Sequence, residues 1–188
     1  MGQISTSEFK SGVKLEIEGQ PYVVVNNEFV KPGKGQAINR VRIKNLLNGR
    51  VIEKTFRSGD KVEEADIIET TMRMLYRDGE EVVFMDDNNY DQVSVSKEAI
   101  GDSNNWLKED LLYYIVFYKG NAINVEPPTF LELKVAETSP GVRGDTASGR
   151  VMKPAKLETG VTIQVPIFIE EEEMLKIDTR NGEYVSRA

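Results

Sequence analysis

Turn signals interrupt this chain before any helix can develop. Asn48-Gly49 separates INRVRIKNL from VIEKTF, Asp78-Gly79 separates TMRMLYR from EEVVFM, and Asn181-Gly182 separates MLKIDTR from EYVSR. Each flanking run is short and rich in β-branched or aromatic residues, the signature of strands joined as hairpins. An Xaa-Gly pair suits such a turn because both central positions of its commonest form need positive φ. Helical signal is confined to SKEAIGDSNNWLKED, where Ser96 is placed to cap a short turn. Many short strands at this spacing exclude a βαβ fold and predict an all-β protein of small barrels or sandwiches.

Two breaks divide the 188 residues. Glu63-Glu64-Ala65-Asp66 follows one complete set of strands and precedes another. Pro127-Pro128 is stiffer, because neither proline can donate to a ladder and each disfavours helix before it. The expected modules are 1–64, 65–128 and 129–188. Each has about 60 residues, close to the lower limit for independent folding.

Composition removes whole classes of chemistry. The chain has no Cys and no His, so thiol catalysis, disulfides and imidazole bases are absent. A carboxylate-based hydrolase would need two acids in one cleft, and no pair stands out. No apolar run is long enough to span a bilayer, and no secretory leader opens the chain, so the expectation is a cytoplasmic protein without a membrane partner. The net charge of −7 speaks against nucleic acid, but its distribution does not. Residues 1–63 hold 11 Lys and Arg against 7 Asp and Glu, while the remainder holds 13 against 24. A basic module on an acidic body implies that one end meets a polyanion.

The stretch VKPGKGQA, residues 30–37, sits inside that basic module between two strand-like runs. It sets Lys31 and Lys34 among Pro32, Gly33 and Gly35. Lys34 is there a solvated turn residue, a phosphate contact or a chemically special amine. In the following run Arg40, Arg42 and Lys44 share one face, about 7 Å apart, while Val41 and Ile43 face the core. Alternation alone would make these cations an ordinary soluble face. With the charged tip and the local charge surplus, they read better as an RNA phosphate surface.

Other patterns carry less. The loop is no P-loop, because no Ser or Thr follows Gly33-Lys34-Gly35 and no helix starts there. Asp87, Asn89, Asp91 and Glu98 mimic a calcium loop, but its sixth position is Gln92 where glycine is required, and QVSVS reads as strand. The acidic run Glu170–Glu173 cannot converge on a metal from a strand. Ser139-Pro140-Gly141-Val142-Arg143-Gly144-Asp145-Thr146 forms a second Gly/Pro-punctuated loop whose amides and arginine could cradle an RNA backbone.

Several ordered motifs then coincide: KPGKGQA at 31–37, YRDGEEVVFMD at 76–86, SPGVRGDTASG at 139–149, KPAKLETG at 153–160, VPIFIEEEE at 165–173 and DTRNGEYVSRA at 178–188. In these the chain resembles the bacterial translation elongation factor P family over essentially its whole length. The resemblance implies an SH3-like or KOW-like barrel followed by two OB-folds in an L-shaped, tRNA-like arrangement. It implies a monomeric, non-enzymatic factor that binds both ribosomal subunits between the P and E sites. There it would contact initiator and prolyl peptidyl-tRNA and relieve stalling at consecutive prolines. It places the family's modified residue on Lys34, which a lysine-modifying enzyme would extend with a β-lysyl or other group, and it implies no other cofactor. Joined to the basic ridge, this places tRNA contacts at Lys31, Pro32, Gly33, Lys34, Gly35, Arg40 and Arg42, and the resemblance further implies RNA contacts at Arg143, Gly144, Asp145 and Thr146. The rival binding reading is a barrel-type RNA chaperone without a role in peptidyl transfer.

Overall fold

Across residues 2–141 and 151–188, which the computed structural model describes, the chain forms sixteen strands in three sheets. The expected all-β class and its small barrels are borne out. Among the described residues helix is limited to Lys97–Ile100 and two 3-10 turns, Thr6–Glu8 and Gly101–Trp106. Ser96 caps the first of these as expected, its hydroxyl accepting from the Ala99 amide at 3.4 Å.

The first sheet runs in the order β1-β6-β2-β3-β4-β5. Its strands are β1 Gln3–Ser5, β2 Lys14–Ile17, β3 Gln20–Val30, β4 Ile38–Asn45, β5 Val51–Arg57 and β6 Lys61–Glu64. Alternation sends Leu15, Val24, Val41, Ile43 and Phe56 inward, where Phe9 joins them. Phe9 and Phe56 meet edge to face at 5.4 Å, a geometry that adds about 1 kcal/mol beyond area burial. β3 runs eleven residues and slips register at Val25, a β-bulge between the Val24↔Ile43 and Asn26↔Arg42 pairs.

The second sheet has the order β11-β10-β7-β8-β9, from β7 Ile67–Asp78, β8 Glu81–Met85, β9 Gln92–Ser96, β10 Leu112–Tyr118 and β11 Asn121–Glu126. Its largest buried side chain is Tyr113, whose ring meets Phe84 edge to face at 5.8 Å. The Tyr113 hydroxyl donates to the Trp106 carbonyl at 2.7 Å and accepts from the Lys108 amide at 2.8 Å. Burial pushes this phenol up to about 12. The third sheet, β14-β13-β12-β15-β16, comprises β12 Phe130–Thr138, β13 Met152–Leu157, β14 Thr162–Pro166, β15 Met174–Asp178 and β16 Glu183–Arg187. It closes over Leu133, Leu157, Val165, Leu175 and Ile177.

By compactness the chain separates into two units, Met1–Thr70 with Ile115–Asn124, and Thr71–Tyr114 with Val125–Ala188. Within the first unit, the Lys119 ammonium and the Tyr118 hydroxyl each donate to Glu16 at 2.9 Å. Those two bonds, the ammonium's foremost, hold the Glu16 carboxyl below the usual carboxylate range.

The turn geometry differs from the sequence expectation. At Asn48-Gly49 and Asn181-Gly182 only the glycine has positive φ, 72° and 73°. Gly49 is the fourth residue of a five-residue loop and Gly182 the last of a four-residue one, and their amides donate back to the Asn45 and Asp178 carbonyls. A single left-handed residue is then enough, as in longer hairpin loops. At the β7–β8 turn Asp78 pairs with Glu81, so the central pair is Gly79-Glu80, with Gly79 first at φ 60°.

Candidate nucleic-acid interface

The loop between β3 and β4 projects from the first sheet, with residues 31–36 all exposed. Val30 pairs with Ile38, so the ladder closes directly beneath it. Its two glycines differ physically. Gly35 sits at φ +116°, a conformation that side-chain-bearing residues rarely adopt. Gly33 has ordinary φ and open space around it, so its contribution is lack of bulk beside Lys34. A Cβ built at Gly35 would lie 3.8 Å from the Pro32 ring, so the loop folds back over its own proline. The Lys34 side chain is thus presented from a short, locally braced tip. At the base, the Ser58 amide donates to the Ala37 carbonyl at 2.9 Å and ties the end of β5 to the hairpin.

The hairpin is also held from inside. Asn39 occupies an inward position of β4 and is only 4% exposed. Its side-chain amide donates to Asn27 Oδ1 at 3.0 Å, and Asn27 Nδ2 donates to the Phe9 carbonyl at 3.0 Å. This relay is possible because the bulge at Val25 shifts the alternation of β3, so that Asn27, opposite Val41, turns inward. Polar groups in a small core that satisfy one another in this way fix a particular geometry, since any other leaves them unpaired. No local pattern marks Asn27 as inward-facing, and Asn39 shares the parity of Val41 and Ile43 but is polar where that face calls for an apolar residue.

On the outer face Arg40, Arg42 and Lys44 are exposed and aligned, as their alternation implied. Among the described residues, neither Arg40 nor Arg42 forms a side-chain hydrogen bond or ion pair. Their register neighbours temper the ridge. Glu28 of β3 lies opposite Arg40, and Glu53 of β5 lies opposite Arg42. Carboxylates are therefore interleaved with the cations, a feature that reading one strand alone does not reveal.

The second loop is described only at its ends. Arg143, Gly144, Asp145 and Thr146 lie outside the described residues. Before them, the Thr138 hydroxyl donates to the Pro154 carbonyl at 2.9 Å, and Lys153 Nζ donates to the Ser139 carbonyl at 2.5 Å. Lys153 is 8% exposed, turned inward on β13. A Cβ on Gly141 would lie 2.6 Å from the Ile167 carbonyl oxygen, so only glycine fits that approach. Among the described residues no cluster of acids suited to a metal ion occurs, and no helix is long and apolar enough to cross a membrane.

Three family models match in sequence order along the chain: the elongation factor P KOW-like domain at residues 5–62, the OB domain at 67–125, and the C-terminal domain at 131–187. Proteins named elongation factor P 2 are similar over the whole chain. That of Protochlamydia amoebophila is 59% identical and that of Chlamydia caviae 58%, each comparison covering 100% of this chain and 98% of the relative. Among solved structures, a translation initiation factor 5A from Methanococcus jannaschii superposes with a TM-score of 0.55 at 24% identity, covering 66% of this chain and 93% of its own. At that identity the likeness is one of fold.

Proposed function

This chain belongs to the elongation factor P family, and on that premise we propose that it acts as a cytoplasmic translation elongation factor that binds the ribosome between the P and E sites. It contacts peptidyl-tRNA there and promotes peptide bond formation where consecutive prolines stall it. The observation that carries this reading is the exposed Lys34 at the tip of a braced hairpin whose outer face presents Arg40 and Arg42 without partners of their own. Arg40, Arg42 and Lys31 contact the tRNA backbone, and the Pro32–Gly35 tip extends toward its acceptor end. Arg143, Gly144, Asp145 and Thr146 contact RNA from the third module. The module boundaries after residues 64 and 128 belong to this reading, supported by the three sheets and the spans of the three family models.

The mechanism is positional. The chain places no histidine or cysteine near the tip, because it has none. Catalysis comes from ordering the peptidyl-tRNA so that the reacting groups meet in a productive geometry, which can contribute several kcal/mol without any proton transfer from the protein. A hairpin already fixed by Pro32, Gly35 and the Asn39–Asn27 relay loses little entropy on binding. A modifying enzyme extends Lys34 with a β-lysyl or related group, which lengthens the reach and adds an amine. The factor works as a monomer and carries no other cofactor. Synthesis of a proline-run peptide in a purified translation system, with and without the modified protein, tests the reading. Faster synthesis confined to proline runs is expected, and an equal rate in both reactions would refute it.

A further inference from the structure

The hairpin register brings one more cation to the outer face. Arg57 ends β5 directly opposite Ile38, the first residue of β4 after the lysine loop. Directly opposed residues share a face of the sheet, and Ile38 has the same parity as Arg40 and Arg42. Arg57 therefore stands on the surface of Arg40 and Arg42, in the row closest to the tip. Its side chain is exposed and has no hydrogen bond or ion pair among the described residues.

The backbone beneath Arg57 is pinned. Its amide donates to Asp60 Oδ2 at 2.9 Å, and the Asp60 amide returns to the Arg57 carbonyl at 3.0 Å. Thr6 clamps the same turn from below, its hydroxyl accepting from the Gly59 amide at 2.8 Å and its own amide donating to the Asp60 carbonyl at 3.0 Å. The adjoining Ser58–Ala37 bond joins this turn to the base of the hairpin. A cation on such a platform keeps a fixed relation to Lys34, which a cation on a free loop would not.

We propose that Arg57 is a phosphate-binding residue, and that the RNA-facing surface of the first sheet is a three-strand face rather than the single ridge of β4. The proposal rests on the tRNA-binding reading above and extends it. Four cations, Arg40, Arg42, Lys44 and Arg57, are set on this face against two carboxylates, Glu28 and Glu53. The guanidinium groups suit phosphate oxygens bidentately, and contacts of this kind fix position without reading sequence. The interleaved acids act in the opposite sense. Glu53 stands opposite Arg42 and repels the same backbone that Arg42 attracts, so it limits the affinity of the face.

The test measures binding of the full chain to purified initiator tRNA over a series of salt concentrations. Each lost phosphate contact lowers the slope of log affinity against log salt by about 0.7–0.9. Arg57→Ala should show that drop, so that a fourfold rise in salt costs it about threefold less affinity than it costs the wild type. Its backbone anchors survive the substitution, because they use the Arg57 amide and carbonyl. Arg57→Lys should retain the slope, and Glu53→Gln should bind more tightly. Lys97→Ala, which removes an equal charge from the short helix after β9, should leave the slope unchanged. An unaltered slope in Arg57→Ala, alongside a reduced slope in Arg40→Ala/Arg42→Ala, would overturn this inference and leave the wider reading standing. If the Arg40→Ala/Arg42→Ala variant also binds as wild type, the wider reading fails and this inference falls with it.

Discussion

Removing the amide of Asn39 should loosen the whole lysine hairpin. In the wild type two side-chain hydrogen bonds of 3.0 Å run in series, from Asn39 to Asn27 and from Asn27 to the Phe9 carbonyl. Asn39→Ala deletes the first and leaves Asn27 Oδ1 without its donor. A hydrogen bond of this kind is worth about 1 kcal/mol net, and an orphaned partner adds to that, so the expected loss is about 1–2 kcal/mol. Asn27→Ala deletes both bonds and strands Asn39 as well as the Phe9 carbonyl, for about 2–3 kcal/mol. The double variant should cost little more than Asn27→Ala alone. The resulting coupling energy is about 1 kcal/mol, in the range for residues that share a network. The cycle also cancels the lower strand preference of alanine, which affects the single variants. Hydrogen exchange at the β4 amides, including those of Val41 and Ile43, reads the local opening free energy directly. Strictly additive single effects, or an Asn39→Ala variant as protected as the wild type, would show that the Asn39–Asn27 pair does not hold the hairpin.

Tyr113→Phe should cost about 1–2 kcal/mol at neutral pH, because the Trp106 carbonyl and the Lys108 amide lose their partner. The folded phenol titrates near 12, above its unfolded value, so its stabilisation is complete below pH about 10 and is lost as pH climbs toward 12. Urea midpoints of the wild type should fall across that window, and those of Tyr113→Phe should fall less. Glu16 behaves in the reverse sense. Its lowered folded pKa makes its contribution present above the unfolded carboxylate value and lost as pH falls through the folded one. Glu16→Gln should therefore flatten the acid limb of the stability curve, and an unchanged limb would count against the Lys119–Glu16 contact. Gly141→Ala should destabilise the third sheet by about 1–3 kcal/mol, because its Cβ would sit 2.6 Å from the Ile167 carbonyl oxygen. Fluorescence of Trp106, which packs into that core, reports the melting shift.

The parts of the fold legible in sequence were those with a local cause. Alternation in INRVRIKN placed Arg40, Arg42 and Lys44 outside and Val41 and Ile43 inside, because a strand has only two faces. Pro32 and Gly35 marked an exposed tip for the same kind of reason: one fixes φ, and the other tolerates a conformation that few residues can. What escaped depended on pairing between distant residues. The inward turn of Asn27 follows from a bulge at Val25 that no local pattern announces, and Asn39 is polar where alternation calls for an apolar residue. Glu28, Glu53 and Arg57 join the outer face only through the registers of β3 and β5 with β4. Lys153, in the polar-looking stretch KPAK, is buried because β13 turns it into the end of its barrel, where its ammonium meets the Ser139 carbonyl. The turn dipeptides located the hairpins correctly but misjudged their conformation, since loop length rather than the dipeptide decides how many residues must be left-handed.

The proposed mechanism turns on the Lys34 amine, and Lys34→Arg isolates it. Arginine keeps the positive charge at the tip, but its planar guanidinium does not take the same acylation. The site is exposed, so the barrel should remain within about 0.5 kcal/mol of wild-type stability. The decisive measurement is the rate of proline-run synthesis in a purified translation system supplied with modified wild-type protein or with Lys34→Arg. The folded Lys34→Arg protein is expected not to restore the rate. Restoration close to that of the wild type would show that the tip needs only a cation, and would contradict the modified-lysine mechanism.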